Sequence, residues 1–320
     1  TVVALTAAMP GPTGLLAFAG AYPDRFFDVG IAEAHAVTAA AGMATGGLRP
    51  VVAIYSTFFS RAFDQANLDV GLHRAPVVFA IPSAGITGVD GPSHHGVLDL
   101  AQCLSIPGMV VFAPSSPAEV ADMLACALSM DSPCSIRFPK TPYLPSIVPN
   151  QGSGDHVSAH SGDGPATAMA GLKLRTGDGS VCVLAVGKLV VAAYEAASLL
   201  EASGVEVTVW DVRVVRPADP SMLADAARHD LVVTVEDGIR IGGAGSHLVD
   251  AVSSLDTGGR PPCFLNLGVP HAYIPHGHPN AILEALGLDG PGIASSIALA
   301  MDRWTSPRDH LQPSNPDPRS

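Results

Sequence analysis

The chain has 320 residues, is 48% apolar, and carries 29 acidic against 17 basic side chains, a formal charge of −12. That length can bury two ordinary domain cores, and the acidic excess argues against nucleic acid or an anionic membrane surface as partner. Five scattered cysteines (103, 126, 134, 182 and 263) lack metal-ligand spacing and fit small buried hydrophobes of a reducing cytosol, and neither a run of membrane-spanning length nor a signal peptide is evident.

In chain order, residues 1–145 alternate apolar strands with Ala-rich helical stretches, the pattern of a parallel sheet covered on both faces. The first strand opens at Thr1. An extended segment, Phe26-Phe27-Asp28-Val29, then turns into a helix of small residues over 34–44, and Glu33 stands at the turn. A carboxylate there can simply favour the helix dipole. It can also be a buried acid, which is costly unless something pairs with it. The run 51–59 predicts a buried strand ending in aromatics and hydroxyls, followed by a helix from Arg61. A further strand covers 77–81, and the loop 85–96 carries Asp90, His94 and His95 among glycines. Three strand ends thus deliver polar or aromatic groups to one side of a sheet, where ligands collect in open α/β folds.

A stretch rich in Gly, Ser, Pro and His over 146–179 predicts a linker, with Gly162-Asp163-Gly164 and Gly177-Asp178-Gly179 as turns within it. A second βαβαβ unit follows: strands at 181–187, 205–210 and 231–235, helices at 192–203 and 221–228. Gly242-Gly243-Ala244-Gly245-Ser246 opens a helix but lacks a complete G-x-G-x-x-G fingerprint, so tight packing of a helix start explains it better than a phosphate loop. His276 and His278 read as a surface turn. Residues 303–320 are charged, Pro-containing and aperiodic, the composition of a disordered tail.

Several ordered motifs carry a resemblance to a known family. They are Ala7-Ala8-Met9-Pro10 with Thr13-Gly14-Leu15, the run from Pro23 to Glu33, Tyr55-Ser56-Thr57-Phe58, and Asp90-Gly91 with His94. The series continues through Val235-Glu236-Asp237-Gly238, Gly242 to Ser246, and Asn266-Leu267-Gly268. Over residues 1 to 300 the chain resembles the transketolase superfamily of thiamine-diphosphate enzymes, and within it the C-terminal half of the deoxyxylulose-phosphate synthases. The resemblance implies an α/β fold of two doubly wound domains. A parallel-sheet pyrimidine-binding domain would occupy 1–145 and a mixed-sheet transketolase C-terminal domain 180–302.

The resemblance also implies roles for individual residues. Glu33 would hydrogen-bond the aminopyrimidine of thiamine diphosphate, Phe58 would stack on that ring, and Ile31 would lie beside it. His94 and Asp90 would sit over the thiazolium, where substrate oxygens gain and lose protons; imidazole suits that task at neutral pH. Tyr55, Arg61, Ser83, His95 and Lys140 would face the substrate. The family's diphosphate-binding domain, with its Mg²⁺ motif, has no counterpart in this sequence. The implied arrangement is half an active site, completed by a diphosphate-binding partner subunit that supplies the Mg²⁺ ligands, in a cytoplasmic heterotetramer. No metal site is expected in this chain.

Departures from the family bear on the acceptor. Ser83 and Lys140 stand where the synthases have two arginines that hold the phosphate of glyceraldehyde 3-phosphate, and His95 replaces a Gln. Charge-assisted hydrogen bonds are worth about 1.5–3 kcal/mol each, and Lys cannot reproduce a bidentate guanidinium grip. The pattern implies the same chemistry on an unphosphorylated acceptor. Two alternatives stand beside it: the beta subunit of a 2-oxo acid dehydrogenase, and a non-catalytic homologue. Retention of Glu33, Phe58, Asp90 and His94 weighs against the last.

Overall fold

The computed structural model describes residues 1–140, 168–256 and 258–305. Twelve strands are described: β1 (Val2–Thr6), β2 (Phe26–Asp28), β3 (Arg49–Ala53), β4 (Val78–Ile81), β5 (Val110–Phe112), β6 (Cys134–Arg137), β7 (Leu172–Arg175), β8 (Val181–Ala185), β9 (Val207–Asp211), β10 (Val214–Arg216), β11 (Leu231–Ile239) and β12 (Cys263–Val269). They form two sheets, one in the order β10-β5-β6-β4-β3-β1-β2 and one in the order β12-β11-β8-β9-β7. The first is parallel except at β10, which pairs antiparallel with β5; the second is parallel except at β7, antiparallel to β9. The two doubly wound α/β domains therefore form as the pattern of apolar runs implies, because strands covered on both faces need unbroken apolar sequence.

Element boundaries differ from expectation where tertiary bonds override local propensity. The run 51–59 is not one strand: β3 stops at Ala53 and the helix Ser56–Phe59 begins three residues later. The Ser56 N–H donates to the Pro82 carbonyl, and the Phe58 and Phe59 N–H groups both donate to that of Tyr55, so the aromatics curl over the sheet edge. The stretch read as a linker contains β7, which closes the edge of the second sheet, while Asp178 accepts from Ser180 in the expected turn. The 162–164 turn lies outside the described residues. The last helix, Gly290–Thr305, runs into the segment assigned to the tail. Strand β11 continues past Val235 to Ile239 and carries Glu236 and Asp237 into full burial.

The run Pro279–Arg303 does have the length and hydropathy of a membrane span, contrary to expectation. It is broken into the helices Pro279–Ala285 and Gly290–Thr305, and Ile282, Leu288, Ile293 and Ile297 are buried in the core of the second domain.

The two domains interlock. One apolar cluster joins Val3, Leu5, Val52 and Phe79 of the first sheet to Cys182, Leu184 and Val232 of the second. Strand β10, from the second half of the chain, completes the first sheet.

Candidate active site

The carboxyl ends of β1, β3 and β4 set the site. After β2, Asp28 accepts from the Ala8 and Gly30 N–H groups at 2.8 and 3.0 Å and shapes the turn that feeds the helix Glu33–Thr45. Glu33 is the first residue of that helix, so the dipole favours its charge. It is nonetheless 5% exposed. Among the described residues its nearest partner is the Arg61 guanidinium, at 3.7 Å, which is too long for a hydrogen bond. A buried carboxylate thus keeps its acceptor capacity open.

Residues 55, 58 and 61 follow helical spacing and share one side of the turn beyond β3. The Tyr55 and Phe58 rings lie parallel with centroids 6.0 Å apart. The Arg61 guanidinium stands 5.3 Å from the Phe58 centroid. His94, from the loop after β4, meets Phe58 edge-on at 5.5 Å. Its Nδ1 lies 2.9 Å from the Ser93 hydroxyl, and Thr57 donates to the Ser93 carbonyl at 2.9 Å, which ties the loop to the Phe58 turn. Glu33, Phe58, Arg61, Tyr55 and His94 therefore converge.

Asp90 and Lys140 form a second pair at the rim. The ammonium donates to the carboxylate at 2.6 Å, and both side chains are exposed. That hydrogen bond, with the lysine charge behind it, holds the Asp90 carboxyl below its usual range and raises the ammonium in turn. Lys140 is thereby committed to a carboxylate.

The remaining assignments fare differently. Ile31 is 78% exposed. Ser83 is 3% exposed, just beyond the end of β4. His95, read as substrate-facing, is also buried, and both its ring nitrogens are engaged: Nδ1 accepts from the Thr87 N–H at 3.1 Å, and Nε2 lies 3.3 Å from the Pro275 carbonyl. Its place is inside the loop rather than in the cleft. The turn at His276 and His278 backs that loop, since a Cβ at Gly91 would meet His276 at 3.3 Å.

A buried charge network beneath the loop had not been anticipated. Arg137, at the end of β6, donates to Asp99 at 3.0 Å and to Asp237 at 2.6 Å, all three nearly inaccessible. Lys188 lies 3.1 Å from the other Asp237 oxygen and donates to the Ile86 carbonyl at 3.2 Å. Burial pushes the Asp237 carboxyl up, but Arg137 and then Lys188 outweigh it and hold it at about 2. Burial dominates at Asp99 and raises it. An added Cβ at Gly85, where φ is +71°, would fall 1.7 Å from Asp237, so only glycine admits the carboxylate here. The sequence signal was available: charged residues closing the apolar strands β6 and β11.

The glycine-rich segment 242–246 is filled from within by a carboxyl that burial raises to about 8. Glu236 accepts from the Ala244 and Gly245 N–H groups at 3.0 and 2.8 Å, filling the helix N-terminus that a phosphate would need. Among the described residues, no group of three or more His, Cys, Asp or Glu could hold a metal.

Comparison with known proteins agrees with this architecture. Residues 1–145 match the transketolase pyrimidine binding domain and residues 171–293 the transketolase C-terminal domain. The chain belongs to the transketolase superfamily. It is 45% identical over 305 residues to the 1-deoxy-D-xylulose-5-phosphate synthase of Corynebacterium diphtheriae, covering 94% of this chain and 46% of the relative. Against synthase 1 of Kitasatospora griseola the identity is 44%, covering 93% of this chain and 44% of the relative. The chain thus spans about half the length of these relatives. Among solved structures, a split gene transketolase described as an inactive β4 tetramer superposes with a TM-score of 0.77 and 28% identity, covering 94% of this chain and 92% of that one. The transketolase of Campylobacter jejuni shares the fold at 16% identity and a TM-score of 0.73, over 93% of this chain and 43% of that one.

Proposed function

We propose that this chain is the pyrimidine side of a transketolase-like transferase that uses thiamine diphosphate and moves a two-carbon ketol or acyl unit. The observation that carries this is Glu33: a carboxylate almost closed to water, its hydrogen-bonding capacity unspent, 3.7 Å from the Arg61 guanidinium that in turn stands 5.3 Å from the Phe58 ring. That donor set fits an aminopyrimidine, which offers a ring nitrogen to an acid and a flat face to an aromatic. When bound, the cofactor supplies a carbanion at its thiazolium C2.

The chain's own residues have separable tasks. Glu33 hydrogen-bonds the ring nitrogen of the aminopyrimidine. Phe58 stacks, worth about 0.5–1.5 kcal/mol beyond buried area. His94 and Asp90 move protons at substrate oxygens, and Tyr55 with Arg61 orients the donor. The acceptor is unphosphorylated: Ser83 is buried and uncharged, and Lys140 is already paired with Asp90. Mg²⁺ and the diphosphate would be held by a second, cytoplasmic polypeptide in a heterotetramer. The split gene transketolase, matched over nearly its whole chain, favours that division of labour.

The test is titration of thiamine diphosphate with Mg²⁺ into this chain alone and into its mixture with a diphosphate-domain protein. Binding is expected in the mixture and lost in Glu33→Ala. Binding that survives Glu33→Ala, or turnover of glyceraldehyde 3-phosphate at synthase-like efficiency, would overturn the assignment or its acceptor.

A further inference from the structure

The loop that carries Asp90 and His94 is fastened to the second domain as well as to its own. Ties from the second domain meet it along its whole length. Asp237 packs on Gly85, and Lys188 donates to the Ile86 carbonyl at 3.2 Å. Gly277 donates to the Gly88 carbonyl at 3.3 Å, and Ile239 to that of Val97 at 2.7 Å. Between these anchors the arch 89–94 stands over the Phe58 turn, and its closing residue is His95.

His95 is held in one tautomer by its surroundings. The Thr87 backbone N–H can only donate, so Nδ1 must be the unprotonated nitrogen. The proton is then on Nε2, where it points to the Pro275 carbonyl of the second domain at 3.3 Å. One neutral imidazole therefore closes the loop on itself and fastens it across the domain boundary. Its neighbour His94 is placed against Phe58 by the same backbone, with the loop's return held at Gly96, where a Cβ would fall 2.3 Å from the Ser83 carbonyl.

We propose that His95 is a positioning residue, a neutral latch that pins the loop bearing Asp90 and His94 to the Pro275 carbonyl, so that the second domain sets the geometry of the site. This goes beyond the proposed function and rests on it only where catalysis is concerned.

Three variants separate the two ends of the latch. His95→Asn keeps an acceptor for Thr87 but is too short for Pro275; His95→Gln carries its donor at the Nε2 position; His95→Ala keeps neither. Amide hydrogen exchange is followed over 85–97 and 273–278 on the full chain without cofactor. Exchange in both segments should rise about tenfold in His95→Ala, which corresponds to about 1.4 kcal/mol of local opening. In His95→Gln, residues 273–278 should stay within about threefold of wild type, whereas His95→Asn should resemble His95→Ala there. Long-range ¹H–¹⁵N correlation of the wild-type imidazole should show the Nε2-protonated form. Unchanged exchange in His95→Ala, or an Nδ1-protonated ring, would overturn the latch.

A second arm reads its consequence in the mixture with the diphosphate-domain protein. His95→Ala should lower kcat by tenfold or more and leave the cofactor Kd within about twofold, and His95→Gln should restore most of kcat. Equal kcat in wild type and His95→Ala would refute control of the site by the second domain. A wild-type mixture that binds no cofactor would sink the proposed function instead, with the latch still decided by exchange.

Discussion

Lys188→Met removes one charge from a buried quartet that is neutral as it stands: Asp99 and Asp237 against Arg137 and Lys188. Methionine fills much the same volume, so packing is kept while a net negative charge remains. Arg137 and Lys188 together hold Asp237 from 3.8 down to about 2, which at 1.36 kcal/mol per unit is about 2 kcal/mol against the cost of burial. Lys188 supplies the smaller share. It also donates to the Ile86 carbonyl, and hydrogen bonds from charged groups are worth about 1.5–3 kcal/mol. The expected loss is therefore about 2–4 kcal/mol, overlapping the range of about 3–5 for breaking a buried pair. Urea unfolding at pH 7, followed by tryptophan fluorescence and circular dichroism, should show a lower midpoint at unchanged slope. Adding Asp237→Asn should recover at least about 1 kcal/mol, because the orphaned charge leaves with its partner. A loss below about 1 kcal/mol, or no recovery, would refute the account of Lys188 as a required counter-ion.

Two other outcomes follow from the charges. Asp237 has a folded-state pKa depressed to about 2, so its contribution is present above 3.8 and disappears as pH falls from 3.8 toward 2. Wild type should therefore lose its stability advantage over Asp237→Asn in that window, read from urea midpoints at pH 2 to 6; an advantage that instead grew toward acid would contradict the sign. At the rim, Lys140→Met should let Asp90 titrate higher than in wild type, because the hydrogen bond that favours the ionised form is gone. Carboxyl ¹³C shifts against pH report this directly, and an unmoved Asp90 would show that the pair does not persist in solution.

The fold was legible because parallel strands leave an unmistakable trace: Val51-Val52-Ala53, Val181 to Ala185 and Leu231 to Val235 are each buried without a break. Strand ends were less legible. Nothing local in Tyr55-Ser56-Thr57-Phe58 forbids extension, and the helix forms because the Pro82 carbonyl takes the Ser56 N–H across the sheet. Glu33, Phe58 and His94 stood out through their motifs, and the structure brings them together. His95 misled for a physical reason: a histidine in a glycine-rich loop looks free, and only the fold supplies two backbone groups that consume both nitrogens. The quartet at Arg137 escaped because its members lie up to 138 positions apart in sequence, from Asp99 to Asp237, and three are isolated charges on separate elements.

That quartet also bears on why a domain without evident chemistry accompanies one that has it. Asp99 and Arg137 belong to the first domain, Lys188 and Asp237 to the second, so splitting the two would break the 2.6 Å Arg137–Asp237 pair and leave each half with only its own pair. Strand β10 would be withdrawn from the first sheet, and the apolar cluster shared by Phe79 and Leu184 would be opened to water. These losses fall on a total stability of about 5–15 kcal/mol. The loop over the site belongs to the first domain and is fastened across this boundary to the second, at Gly85 and Ile86 and at His95 and Val97. Rigidity at the boundary is therefore rigidity at Asp90 and His94. The second domain thereby reaches Asp90 and His94 through the loop backbone that it holds still.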